Sequence, residues 1–177
     1  MNTLLVALLV VGTAFATQGY KSEIPRPDVP GNLKPPAGEE VILVGHATGV
    51  QIYVCQPGTN PPFAWTFKAP EAVLTDSSGR QIIHHFAGPT WKHNDGSEVV
   101  GKVVGTQHAP KPDAIPWLLL TARSHTGQGV LSRATSIQRI HTEGGVAPDA
   151  NTCDASANGK ESRSPYQADY YFYEPKH

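Results

Sequence analysis

From Glu40 to Tyr173 this chain is divided into short runs of β-branched and aromatic residues, each broken by Gly, Pro, Asn or Asp. Globular helices average about 10–14 residues, so a chain cut this finely has little room for them, whereas strands of roughly 5–6 residues fit between the breaks. The runs are Glu40–Ala47, Val50–Cys55, Phe63–Lys68, Ala72–Thr75, Gln81–Phe86, Ser97–Val104, Trp117–Ser124, Thr135–Thr142 and Asp169–Tyr173. In Val50–Cys55 the alternation is strict. Val50, Ile52 and Val54 share one face and Gln51, Tyr53 and Cys55 the other, as in a half-buried strand.

The breaks have turn chemistry of their own. Asp76-Ser77-Ser78-Gly79 reads as a turn and Asn94-Asp95-Gly96-Ser97 as a hairpin tip, where Asp-Gly supplies positive φ. Both imply antiparallel pairing. Between Val130 and Ile140, the spacing of Val130, Ala134 and Ile137 suits a helix, but β-branched Thr135, Ile137 and Ile140 favour a strand. Residues 143–165 are rich in Gly, Asn, Asp and Ser and are expected to form a long surface loop pinned midway by Cys153, and Tyr170-Tyr171-Phe172-Tyr173 a strand covered on both sides. The expected fold is all-β, an antiparallel β-sandwich or a closed barrel; the pattern leaves both open.

Ahead of these runs lie two segments of different character. Residues 1–16 hold an apolar stretch from Leu4 to Val11 followed by Ala14-Phe15-Ala16, the pattern of a removable signal peptide and too short to span a bilayer, which takes roughly 20 residues. Residues 17–38 are Pro-rich and without apolar periodicity, an extended arm, which leaves 39–177 as a single β domain. The chain is therefore expected to be secreted and extracellular, with no membrane span. A net charge of −1, without basic or acidic runs, gives no footing to nucleic acid or an anionic membrane. The two cysteines, Cys55 and Cys153, are expected to pair in an oxidising compartment. A crosslink closing a loop of roughly 100 residues contributes at most about 4–5 kcal/mol in the chain-entropy model.

Candidate chemistry concentrates between residues 84 and 97. His85, His93 and Asp95 could make an open divalent-metal site; His84 belongs to the same group, but neighbours on a strand point to opposite faces, so only one of His84 and His85 can take part. No other cofactor is implied. The chain has no Gly-x-Ser-x-Gly element, and a triad from Ser97 or Ser124-His125 would be free assembly of common residues. Glu71, Asp76, Asp95 and Asp113 each sit beside a Pro, a Gly or a turn signal that explains them structurally. Gly127-Gln128-Gly129 resembles a dinucleotide turn until position 132, which is Ser132 instead of a third glycine, and no strand–helix alternation surrounds it. Of the tryptophans, Trp65 and Trp117 fall in apolar runs, whereas Trp91 sits between Gly88-Pro89-Thr90 and a charged turn and is the expected ligand contact. Arg139, within a strand, is expected to pair with Asp169, ligand anchoring being the other reading.

Several blocks occur in a familiar order: Gly49-Val50-Gln51-Ile52-Tyr53-Val54-Cys55, Trp65 with Pro70-Glu71-Ala72, His85-Phe86-Ala87-Gly88-Pro89-Thr90-Trp91 with Asp95-Gly96-Ser97, Ile115-Pro116-Trp117, Ile137-Gln138-Arg139, Thr142-Glu143-Gly144-Gly145 and Ala168-Asp169-Tyr170-Tyr171-Phe172-Tyr173. Over roughly residues 33 to 174 the chain resembles the secreted domain-of-unknown-function family 3455 of bacteria and fungi. The resemblance implies a signal peptide, paired cysteines and a compact domain, and brings no catalytic residue. Fungal members often carry a malate dehydrogenase label, which the missing glycine and absent βαβ pattern do not support here. The chain departs from the family pattern at His141, where an Asn is expected.

The expected function is extracellular binding of a carbohydrate or small molecule, with His85, Trp91, Asp95 and Arg139 as contacts. The alternatives are a metal-dependent extracellular oxidoreductase using His85, His93 and Asp95, and a structural secreted protein without a small ligand.

Overall fold

A computed structural model describes residues 23–176. The expected signal peptide and the first residues of the arm lie outside the described residues. Eight strands follow in chain order: β1 (Glu39–Pro57), β2 (Phe63–Thr75), β3 (Gln81–Phe86), β4 (Thr90–His93), β5 (Glu98–Gln107), β6 (Trp117–Thr126), β7 (Ser136–Gly144) and β8 (Glu161–Pro175). Each pairs antiparallel with the next and β8 pairs with β1, so the sheet closes into a barrel rather than a sandwich.

Two of the strands are longer than their sequence runs. Glu40–Ala47 and Val50–Cys55 fuse into β1 through Gly49, where a Cβ would fall 2.2 Å from the Glu71 carbonyl oxygen of β2. That close approach admits only glycine, and it carries the strand around the curve of the barrel. Phe63–Lys68 and Ala72–Thr75 likewise fuse into β2. The expected loop over 143–165 is shorter than its composition suggests, because Glu161–Pro165 already pair with Val50–Val54 of β1. Val130–Ile140 divides between both readings: Val130–Arg133 form one 3-10 turn, and β7 starts at Ser136.

The two ends of the barrel differ. At one end the connections 76–80, 94–97 and 127–135 meet, and the 3-10 turn closes it with Leu131, which is fully buried. Asp95 fastens this plug. Its carboxylate accepts from Ser97 N (2.9 Å), Ser97 Oγ (2.6 Å) and Val130 N (2.8 Å), while Ser97 Oγ accepts from Leu131 N (3.0 Å). Gly129 has φ of 143°, and a Cβ there would meet Asp95 Oδ2 at 2.2 Å. The Gly-x-Gly pair thus serves packing of the plug.

Leu74, Ile83, Trp91, Val99, Leu120, Ile137 and Phe172 fill the interior above the plug. Outside the barrel the N-terminal arm wraps the wall: Val29 and Leu33 pack on Leu119 and Ile140, and Gln138 Nε2 donates to Leu33 O (2.6 Å). At the other end Cys55 and Cys153 are disulfide-bonded, with Cα atoms 5.5 Å apart, tying the connection 145–160 to β1. Among the described residues no helix is long and apolar enough to cross a membrane.

Candidate ligand-binding site

Strand alternation decides what the open end presents. In β1 the face carrying Gln51 and Tyr53 turns inward, and β3, β6, β7 and β8 contribute His85, Leu118, Arg139 and Tyr170 to the same space. Together they line a cavity of about 370 Å³ in the mouth opposite the plug, within the range of small-molecule sites. Eight-stranded barrels have an interior just wide enough to be filled by side chains or to hold one small ligand, and this barrel is filled at one end and leaves a cavity at the other. Phe67 and Val103 form an apolar rim, 51% and 45% exposed.

His85 is the most constrained polar group in the mouth. Its Nδ1 lies 2.8 Å from Thr90 O, and because a carbonyl only accepts, that nitrogen carries the proton and Nε2 is the acceptor. Burial pushes its pKa down to about 3, and the nearby Arg139 charge adds to this against the opposing Thr90 hydrogen bond. The ring is therefore neutral, and it lies flat on Trp91. Trp91 is 1% exposed, so it belongs to the core as well as to the cavity wall, in contrast to the exposed contact expected from its sequence neighbours.

Arg139 does not pair with Asp169. In the β7–β8 ladder Arg139 is opposite Tyr170, whereas Asp169 is opposite Ile140, so the two side chains leave the sheet on different faces. Asp169 instead receives His46 Nδ1 (2.6 Å) and His141 Nδ1 (2.8 Å) on the exterior. His141 has φ of 50°, a backbone region in which Asn is enriched, which gives a physical reason for the Asn of the family pattern. Arg139 Nε and Nη2 both donate to Pro116 O (3.2 and 2.8 Å), and among the described residues no carboxylate pairs with it.

The structure thus brings together His85, Trp91 and Arg139 and leaves His93 and Asp95 at the plugged end. His93 Nδ1 is 3.1 Å from both Asp95 N and Asp95 Oδ1. Burial alone would raise the Asp95 pKa, but hydrogen bonds from Ser97 and Val130 outweigh it and hold the carboxyl well below the usual range. Among the described residues no group of three His, Cys, Asp or Glu side chains is placed to hold a metal. Gln51 and Tyr53 were not singled out by sequence, although a polar face alternating with Val50, Ile52 and Val54 was the available signal. Tyr53 OH donates to Gly145 O (2.7 Å), and burial raises its pKa.

Residues 36–174 match the model of a family described as protein of unknown function (DUF3455). The chain belongs to DUF3455. The match takes in all eight strands of this DUF3455 barrel but for the last residue of β8, and both cysteines. No curated protein and no solved structure matches it.

Proposed function

We propose that this chain is an exported, non-catalytic binding protein that takes one small molecule into the open mouth of its barrel. The observation that carries this reading is the asymmetry of the barrel: one end is plugged by Leu131, and the other holds a cavity of about 370 Å³. Mostly apolar walls with a few fixed polar groups are the usual composition of such sites. The polar groups here are suited to holding: His85 is neutral with Nδ1 committed to Thr90 O, and Arg139 is oriented by Pro116 O. The disulfide and the expected signal peptide support export. Because one face of Trp91 is covered by His85, the mouth favours a compact apolar molecule over a sugar laid on an open aromatic platform.

The test uses the intact, oxidised chain and the neutral apolar dye N-phenyl-1-naphthylamine. Saturable one-to-one fluorescence enhancement, abolished by Leu118→Trp in a variant with an unchanged circular-dichroism spectrum, is the expected result. Absence of dye binding, together with no co-purifying small molecule in native mass spectrometry, would leave the structural reading in place instead.

A further inference from the structure

Resting on the mouth as a binding site, we infer that its ligand is an amphipathic carboxylate, held by the guanidinium of Arg139 with its apolar body against the barrel wall. A guanidinium has two edges able to grip a planar pair of oxygens. Pro116 O occupies the Nε–Nη2 edge of Arg139 and fixes its plane. Nη1 has no partner among the described residues, so the Nη1–Nη2 edge is left for a fork-to-fork contact with a carboxylate. Arg139 is half-buried, and a cation partly withdrawn from water is costly to hold without a counter-charge.

The rest of the lining has the same polarity. It contains two cations, Lys68 and Arg139, and no Asp or Glu. Lys68 is already ion-paired with Glu161, which leaves Arg139 as the cation without a counter-charge. A further donor of the lining, Trp91 Nε1, is buried without a partner. A site that is short of negative charge is completed by an anion. Leu118, Leu120 and Tyr170 offer the apolar wall, and Phe67 and Val103 at the rim extend it outward. A carboxylate on an apolar chain or ring satisfies both demands.

Displacement of N-phenyl-1-naphthylamine from the oxidised protein by decanoate, decan-1-ol and decylamine, which share one chain length, reads the headgroup preference directly. Decanoate should displace the dye at a concentration at least about tenfold lower than decanol, as a charge-assisted contact implies, and decylamine should be the weakest. Arg139→Gln should bring the decanoate-to-decanol displacement ratio down to about one, and Arg139→Lys should restore only part of it because the charge returns without the fork. Equal displacement by decanoate and decanol in the unaltered protein, or a preference for decylamine, overturns the carboxylate assignment even if the variants do not fold. In that case dye binding survives and the mouth remains a site; failure of the dye itself to bind removes both.

Discussion

The imidazole of His85 lies on the indole of Trp91 with ring centroids 4.4 Å apart and planes 4° from parallel, because the β3–β4 register sets the two residues opposite each other. Tyr170 meets both rings edge-on, at 5.3 and 5.5 Å. The stack separates the filled half of the barrel from the mouth, and its burial requires an uncharged histidine.

That requirement makes stability depend on pH. The folded pKa of His85, about 3, lies below its ordinary value of 6.5. Above pH 6.5 the ring is neutral in both states. As pH falls below that, the unfolded chain takes up a proton that the folded chain refuses, so stability is lost progressively toward pH 3. Urea unfolding compared between pH 7 and pH 5, where ordinary carboxylates stay charged, should show a decline that is shallower in His85→Gln; equal slopes in the two proteins would refute the buried neutral ring.

The plug should be sensitive to Asp95 in a way the mouth is not. Asp95→Ala leaves the backbone N–H groups of Ser97 and Val130 without their acceptor, at a cost of about 1–3 kcal/mol. For a chain of this size that is a fall in Tm of roughly 2–4 °C per kcal/mol, with Asp95→Asn milder since one acceptor oxygen remains. Gly129→Ala should cost more than either, because its φ of 143° and the 2.2 Å approach to Asp95 Oδ2 both oppose a side chain. Calorimetry gives the order of the three, and dye affinity at the mouth should move by less than about twofold in Asp95→Ala.

The strands were legible wherever local pattern and local pairing agree. Val50–Cys55 alternates, Asp76–Gly79 turns, and each became part of β1 or of the β2–β3 hairpin. Hydrophobicity alone misleads about which face of β1 is interior: Gln51 and Tyr53 face the cavity, not Val50 or Val54, because a mouth needs polar groups that a filled core does not. The start of β8 was hidden for a related reason, since Glu161, Arg163 and Ser164 read as loop until their β1 partners are known. Thr90–His93 carries no apolar run and becomes β4 only between its neighbours. His85, Trp91 and Arg139 stood out as chemistry in the sequence, but that they meet, and that Asp95 does not join them, depends on strand order around a closed sheet.

Reduction should act locally. The connection 145–160 is held by Cys153, by the caps Asp149 and Asp154, and by the hydrogen bond from Trp65 Nε1 to Thr152 Oγ1 (3.0 Å). With the disulfide opened by Cys55→Ala/Cys153→Ala, limited proteolysis should cut first between residues 146 and 160, with global stability lower by about 2–4 kcal/mol. Cleavage beginning in the strands from Val50 to Val104 would contradict this.

The arm should behave as part of the wall. Leu33 is fully buried against the outer face of the barrel, so Leu33→Ala should cost about 2–4 kcal/mol in urea unfolding, as in a core. A loss below about 0.5 kcal/mol would mean that the strap is dispensable.

The seam that closes the barrel joins the first strand to the last, Glu39–Val54 against Glu161–Pro175. Every other ladder links neighbours in the chain and can zip as it is synthesised, but this one must wait for β8. Until then the growing polypeptide carries an open sheet with β1 unmated on one side, a slow, non-local step of the kind that keeps a nascent chain unfolded. Under the export proposed above, such lateness is an advantage, since the ring cannot shut until its final strand has arrived.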